Sequence, residues 1–488
     1  MSELSTRIAE VLAIDPAAGA LEFDGTWCTY GQLADTVEQV TALVPGAGAE
    51  VGILLRNRPV SIGFLLGVLA ADGCVVTINP GRGRDRTRAD IADLDLPVLC
   101  GQPADLAELV PDGVRATTVA ADELGEPLVV EEGTHDGAAA RPGVAVRMLT
   151  SGTTGPPKRI DLTYSTLQQV LVGNHHYGST HGSSRALRPG VAVVSSPLVH
   201  LGGLFRVLSA VTDGRSFSFL ERFTVDGFLD AVHRHRPATA SLVPTALRMV
   251  LEADPDPADL ASLKSVVSGT APLDPDDADA FEARFGVPVL GTYAATEFGG
   301  SVAGWNVRDH RAHWADKRGS VGRAQAGCEL RVVDAATGEE LPADGDGVLE
   351  VRADHIADGG WVRTTDLARL DADGYLFILG RADEAVIRGG FKVLPETVTA
   401  ALERHPAVRG AAVICRPDRR LGAVPVAAVE LRAGAAVTAD DLLDHAATVL
   451  APYEVPTEIR IVDQLPRTES GKVTLAAVAD LLKATTWT

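Results

Sequence analysis

The sequence predicts an α/β fold. A large N-terminal domain of parallel-rich sheets with helices carries a small β-barrel-like subdomain, and a small, mobile α/β domain follows. Three observations predict this. Apolar strand-like runs alternate with helical patterns across residues 1–143 and again across 161–300, which argues for parallel sheets covered by helices. From about 318 to 380, short alternating segments are punctuated by DG and GD pairs, the texture of antiparallel hairpins. Beyond the polar break at 380–384 lie about 105 residues with their own strand and helix pattern, a domain-sized stretch. The expected division is 1–380, a hinge at 381–384, and 385–488.

In chain order, 4–12 and 30–43 read as helices, 49–55 as a buried strand, 61–71 as a helix and 75–78 as the next strand. The most apolar stretch, 60–78, is interrupted by Asp72 and Gly73. It reads as a buried helix followed by a buried strand, too short and broken to span a bilayer. Between 111 and 141 the pattern decays into Gly- and acid-rich sequence, expected as a surface connection. Residues 165–177 read as a helix. The strand at 191–195 empties into Pro197-Leu198-Val199-His200-Leu201-Gly202-Gly203. The strand at 263–268 leads to Gly269-Thr270-Ala271-Pro272, and that at 287–293 to Ala294-Ala295-Thr296-Glu297. Ligands of open α/β sheets bind beyond the carboxyl ends of the strands, so these loops are expected to share one crevice. The last domain reads as helix 396–405, strands 408–415 and 423–431, helix 440–450 and strand 457–462.

The totals exclude several functions. With 46% hydrophobic and 22% charged residues the chain is globular, not disordered. A net charge of −21 argues against nucleic acid and against an anionic membrane surface. Five scattered cysteines without a CxxC pair give neither a disulfide framework nor a zinc site. No secretory signal is evident at the N-terminus, so a cytoplasmic location is expected.

The stretch Thr150-Ser151-Gly152-Thr153-Thr154-Gly155-Pro156-Pro157-Lys158 follows an apolar run, 144–149. Its glycines allow close backbone approach to a ligand. Its N–H groups, hydroxyls and lysine make a phosphate cradle by composition. It is not a Walker A loop, because Arg159 stands where Ser or Thr is required. A second stretch of this kind, Pro466-Arg467-Thr468-Glu469-Ser470-Gly471-Lys472, lies near the end.

Taken in order with Thr292-Tyr293-Ala294-Ala295-Thr296-Glu297, Arg363-Thr364-Thr365-Asp366 and Gly380-Arg381-Ala382-Asp383, these stretches resemble the adenylate-forming, AMP-binding superfamily over nearly the whole chain. The resemblance is to acyl-CoA synthetases of the fatty-acid–CoA ligase kind. It implies a two-step reaction with ATP, Mg²⁺ and coenzyme A. A carboxylate attacks the α-phosphate to give acyl-adenylate and pyrophosphate, then the thiol displaces AMP. An amine or a separate carrier protein as acceptor, and a nucleotide binder without catalysis, are the alternatives. The resemblance admits a homodimer.

It also implies roles. Thr150, Ser151, Gly152, Thr153, Thr154, Gly155 and Lys158 would embrace the β- and γ-phosphates. Gly269, Thr270, Ala271 and Pro272 would form the adenine wall, with Tyr293 against the base. Thr296 would donate to the α-phosphate and Glu297 would hold Mg²⁺, a hard cation that takes carboxylate oxygen and phosphates. Asp366 would accept the ribose hydroxyls, assisted by Arg381. Lys472 would bridge the α-phosphate and the substrate carboxylate. Asp383 would be the hinge, Gly390 would line the pantetheine tunnel, and His200 would stand at the acyl pocket.

Four positions depart from the family pattern: Thr365, Ala294 and Arg159 replace common glycines, and Ile387 a common lysine. The acyl pocket is expected near 200–205, 243–245 and 298–302. Gly202, Gly203, Gly299, Gly300 and Ser301 leave room there for a bulky apolar acid, fatty, aryl or alicyclic. The pair His175-His176 with His181 lacks a carboxylate or cysteine to complete a metal site and reads as surface.

Overall fold

The computed structural model describes residues 1–135, 140–149, 158–173, 186–356, 359–382, 386–388, 391–418, 420–468 and 471–483. Its large unit contains a seven-stranded sheet in the order Val129–Glu131, Thr117–Ala120, Val98–Gly101, Glu50–Leu54, Cys74–Ile78, Val144–Leu149, Arg159–Thr163. The five inner strands run parallel and the two outer pairings are antiparallel. Glu50–Leu54 and Cys74–Ile78 are buried at every position, as strands covered on both faces must be. The adjoining helix Pro59–Ala70 is buried on every side from Val60 to Leu69. The apolar stretch 60–78 is thus core. Among the described residues no helix is long and apolar enough to cross a membrane.

A five-stranded sheet follows, in the order Thr239–Ser241, Ser265–Ser268, Val289–Ala295, Gly300–Gly304, Arg323–Ala324. Its first three strands are parallel and the rest antiparallel. A four-stranded sheet joins Arg188–Val194 and Arg215–Phe219 to Gly19–Phe23 and Thr26–Thr29. The antiparallel unit is as expected: Cys328–Val333, Asp346–Ala353, Val362–Leu370 and Leu376–Arg381 pair in sequence order. In the small unit, Gly422–Leu431 pairs with Val408–Asp418 and Glu458–Val462, backed by helices Pro395–Glu403 and Ala439–Val449.

Three stretches differ from the sequence reading. Residues 117–120 and 129–131 extend the large sheet instead of forming a surface connection. They are too short to show periodicity, and pairing with a buried neighbour decides them. The helix beginning at Tyr164 gives way to a wider π-turn, Gln169–Gly173; 174–177 lie outside the described residues. Residues 201–203 are not loop but the first turn of helix Leu201–Thr212.

Polar contacts connect the two units. Arg248 Nη2 donates to Glu403 at 2.8 Å while its Nε holds Asp277 at 2.5 Å. Burial opposes the Arg248 charge, but Glu403 and Asp277 outweigh it and raise its pKa. Arg409 and Arg432 both reach Glu252, at 3.3 and 3.5 Å.

Candidate active site

A cavity of about 1740 Å³ opens beyond the carboxyl ends of the Arg188–Val194, Thr239–Ser241, Ser265–Ser268 and Val289–Ala295 strands. One drug-sized ligand fills about 300–1,000 Å³, so this space suits a nucleotide and an acid together. His200, Gly269, Thr270, Ala294, Thr296, Glu297, Arg381 and Lys472 all line it. The expected convergence of separate strand ends on one crevice is met.

Local sequence explains how each group is presented. Thr296, Glu297 and Phe298 form one 3₁₀ turn. Phe298 is 1% exposed and anchors the turn in the core, while Glu297 is exposed to the crevice. Gly299 closes the turn with φ +67°, its N–H donating to Thr296 O at 3.0 Å. Thr270 has φ +71°, a genuine outlier for a β-branched residue and of the kind that clusters at ligand sites. A side chain at Gly269 would have to displace Thr292, since a Cβ would stand 2.7 Å from Thr292 Cγ2.

His200 precedes helix Leu201–Thr212 and its carbonyl accepts from Leu204 N at 3.0 Å. Burial, then the Lys472 charge, pushes its pKa down to about 4, so the imidazole is neutral at physiological pH. Lys472 arrives from the small unit on a tight hairpin, with Thr468 N–H donating to Lys472 O at 2.7 Å and Gly471 at φ +79°. Thr245 of the large unit donates to Gly471 O at 3.2 Å. Lys472 remains open to the crevice, yet the protein packed around its ammonium lowers its pKa, with the Arg381 charge adding to the effect.

Other expected residues stand beside the cavity. Tyr293 and Asp366 do not line it; the Tyr293 hydroxyl donates to Asp366 Oδ2. Burial, then the Asp366 charge, raises the Tyr293 pKa. Asp366 sits opposite Arg381 in the strand ladder, and Arg381 Nη2 donates to Thr365 Oγ1 at 2.7 Å. Thr365 is not among the residues with positive φ, so the missing glycine leaves no strain there. Arg159 is bound by Asp90 at 2.6 Å and by Thr77 O at 2.9 Å. Ala271 and Pro272 do not line the cavity. Thr150, Ser151, Gly152, Thr153, Thr154, Gly155, Asp383, Gly390 and the histidines 175, 176 and 181 lie outside the described residues; Lys158 is exposed.

The acyl side keeps most of the small residues expected there and adds polar ones. Gly202, Gly203, Gly300 and Ser301 line the cavity, but Phe298 and Val302 face the core. Arg206 and Gln325 line it too, and sequence reasoning missed both. Arg206 follows Gly202 by four residues, a helical repeat hidden once 201–203 were read as loop.

The order of motifs, the three parallel strand ends and the lysine hairpin coincide with a family match. Residues 9–361 match the AMP-binding enzyme family and 397–472 its C-terminal domain. This chain belongs to the AMP-binding enzymes. It is 32% identical to a sulfoacetate–CoA ligase of Cupriavidus necator, covering 91% of each chain. It is 30% identical to a feruloyl-CoA synthase of an Amycolatopsis species, covering 94% of this chain and 95% of that one. Among solved structures, ATP-bound MatB from Rhodopseudomonas palustris superposes with a TM-score of 0.83 at 25% identity, 99% of each chain covered. An amide bond synthetase from Marinactinospora thermotolerans gives a TM-score of 0.79, also at 25% identity, covering 98% of this chain and 99% of that one.

Proposed function

We propose that this AMP-binding enzyme is an ATP-dependent carboxylate–CoA ligase, forming an acyl-adenylate and passing the acyl group to coenzyme A. The observation that carries the reading is Lys472 of the small unit lining the same cavity as Thr296, Glu297 and Arg381. A cation there meets charge that develops as the carboxylate attacks the α-phosphate, and such preorganised donors stabilise a transition state by several kcal/mol. The neutral imidazole of His200 offers no competing charge at the acyl end.

The nucleotide roles follow on the same reading. The 150–158 loop takes the β- and γ-phosphates, Gly269–Pro272 and Tyr293 the adenine, and Asp366 with Arg381 the ribose. Asp366 already accepts a hydroxyl, that of Tyr293, as it would a sugar hydroxyl. Among the described residues no cluster of three metal-ligating side chains exists. One carboxylate plus substrate phosphates is the ordinary Mg²⁺ arrangement at nucleotide sites, and Glu297 beside Thr296 fits it. The metal there would neutralise phosphate charge. Asp383 is the hinge of an unlike pair, 1–380 and 385–488, and Gly390 lines the thiol tunnel. Five free cysteines suit a reducing cytoplasm.

The names of the relatives speak of aryl acids and sulfoacetate, so fatty, aryl, alicyclic and sulfonated acids all belong in the test. ATP–pyrophosphate exchange across that panel, then mass spectrometry with coenzyme A, is the experiment. Exchange with an acyl-CoA product is expected. Exchange that yields only acyl-AMP, with amide formed when amines are added, would favour the amide-forming reading that the synthetase fold-mate raises. No exchange with any acid would refute a ligase.

A further inference from the structure

We infer that Thr245 is a positioning residue for acyl-adenylate formation: from the large unit, its hydroxyl seats the Gly471–Lys472 peptide and so aims the lysine of the small unit into the cavity. The inference rests on the role that the ligase reading gives to Lys472.

Thr245 stands in the first turn of helix Pro244–Ala253. Pro244 before it suits that place, since a helix start leaves its N–H groups without helical partners and proline has none to leave. Leu247 and Val250 of this helix are wholly buried in one cluster with Phe281, so the core of the large unit holds it in place. Another stripe of the helix faces the small unit. Thr245, Arg248 and Glu252 follow at intervals of three and four residues, which puts them on one side. Each meets the small unit: Thr245 at Gly471, Arg248 at Glu403, and Glu252 at Arg409 and Arg432.

The Thr245 contact falls on the peptide bond that carries the lysine. Thr245 Oγ1 donates to Gly471 O at 3.2 Å, and Arg467 Nη1 of the small unit donates to the same oxygen at 3.3 Å. On the other side of that peptide, Lys472 N–H donates to Thr468 Oγ1 at 3.2 Å. A peptide unit is planar, so these bonds fix its plane and the direction in which the Lys472 side chain leaves the backbone. Two of the three partners move with the small unit. Thr245 belongs to the large unit, which also carries Thr296 and Glu297. Gly471 suits the close approach: its φ is +79°, and an added Cβ would stand 3.3 Å from Thr245 Cβ. A β-branched side chain is stiff at χ1, which keeps the Thr245 hydroxyl in place.

The ion pairs of Arg248 and Glu252 bring the two units together, but none of their residues lines the cavity. Thr245, Gly471 and Lys472 all line it. The threonine is therefore the point at which docking of the small unit becomes placement of the lysine. Placement matters because a catalytic group displaced by about 1 Å can cost on the order of a hundredfold in rate.

Two variants of the full-length enzyme test this. Thr245→Val keeps the shape and removes the hydroxyl, and Thr245→Ser keeps the hydroxyl. In ATP–pyrophosphate exchange the Val variant should lose about threefold to tenfold, the worth of one hydrogen bond, in kcat rather than in KM for the acid. The loss should be alike for a short and a long acid, because the lysine serves both. Thioester formation from supplied acyl-adenylate should fall less than exchange does, and the Ser variant should recover most of the loss. A second measurement needs no substrate. Amide hydrogen exchange at Thr468, Gly471 and Lys472 in the free enzyme should quicken in the Val variant and stay near wild type in the Ser variant. A Val variant with wild-type pyrophosphate exchange overturns the inference. So does a loss that appears in KM or differs between acids, since Thr245 would then read the acid. Equal loss in both half-reactions overturns it, as do unchanged amides in the Val variant. No pyrophosphate exchange by the wild-type enzyme with any acid overturns the ligase reading instead, and the amides then decide the tether alone.

Discussion

Glu297 and Lys472 face one cavity but are held there by opposite means. Glu297 is fixed by apolar burial: Phe298 beside it is anchored in the core, and its turn caps a strand with neighbours on both sides. Lys472 comes on a hairpin closed on itself and touches the large unit through Thr245 and Gly471 O. Among the described residues the small unit also meets the large one through the ion pairs of Arg248 with Glu403 and of Arg409 and Arg432 with Glu252, and through Leu394, which packs against Val333, Val348 and Leu367. Burial of a Phe side chain is worth about 1.5–3 kcal/mol, whereas the largely exposed pairs of Glu252 contribute about 0–1 kcal/mol each. One wall of the site thus belongs to the core of the large unit and the other is supplied by the small unit. We propose that the small unit reorients between the two chemical steps, which that division would allow.

The largest expected effect removes the cation of the small unit. Lys472→Ala should lower ATP–pyrophosphate exchange by about a hundredfold to a thousandfold, the loss typical of one deleted transition-state donor. Thioester formation from supplied acyl-adenylate should be spared. Measuring both half-reactions decides the matter, because equal loss in both would mean that Lys472 serves both steps alike. Gly390→Trp should do the converse, leaving exchange intact and blocking the CoA product. Unimpaired thioester formation would put the tunnel elsewhere.

A smaller effect should come from the contact between units. Glu403→Gln replaces a charged partner of Arg248 by a neutral one, while Asp277 still holds the guanidinium at 2.5 Å. If this pair helps to dock the lysine hairpin, exchange should fall a few-fold, about the value of one partly exposed ion pair. Added salt should shrink the difference between variant and wild type. Thioester formation hit harder than exchange would show that the pair stabilises the other orientation.

A similar division governs what the sequence disclosed. Long periodic segments such as Glu3–Leu12 and Tyr30–Leu43 were legible because one apolar face repeats along them. The buried helix Pro59–Ala70 was legible because it is apolar all round. Strands of three or four residues at 117–120 and 129–131 were not, since their pairing comes from a distant neighbour. In the site, the strand-end loops were legible as polar clusters after apolar runs. Arg206 was not, because two consecutive glycines at 202 and 203 look like loop until Leu204, Val207, Leu208 and Val211 are seen to bury one helix face. That single boundary kept Arg206 out of the expected lining. Tyr293 and Asp366 were named separately, and only the fold brings the hydroxyl of one to the carboxylate of the other.

The smallest expected effect is a displacement on the pH axis rather than a loss. Crowding around the ammonium, with Arg381 adding, lowers the Lys472 pKa below the ordinary lysine value. The cation is present below that pKa and is lost as pH rises through it. Exchange should therefore have an alkaline limb beginning earlier than an unperturbed lysine would give. His200, with its pKa pushed down to about 4, is neutral on both sides of that limb and cannot cause it. Lys472→Arg keeps its charge at any accessible pH, so whatever its maximal rate, its profile should lose the limb. An arginine variant with the wild-type limb would assign it to another group. A limb that vanishes in exchange but persists in the thioester half-reaction would place Lys472 at the first step alone, where the small unit supplies its wall of the site.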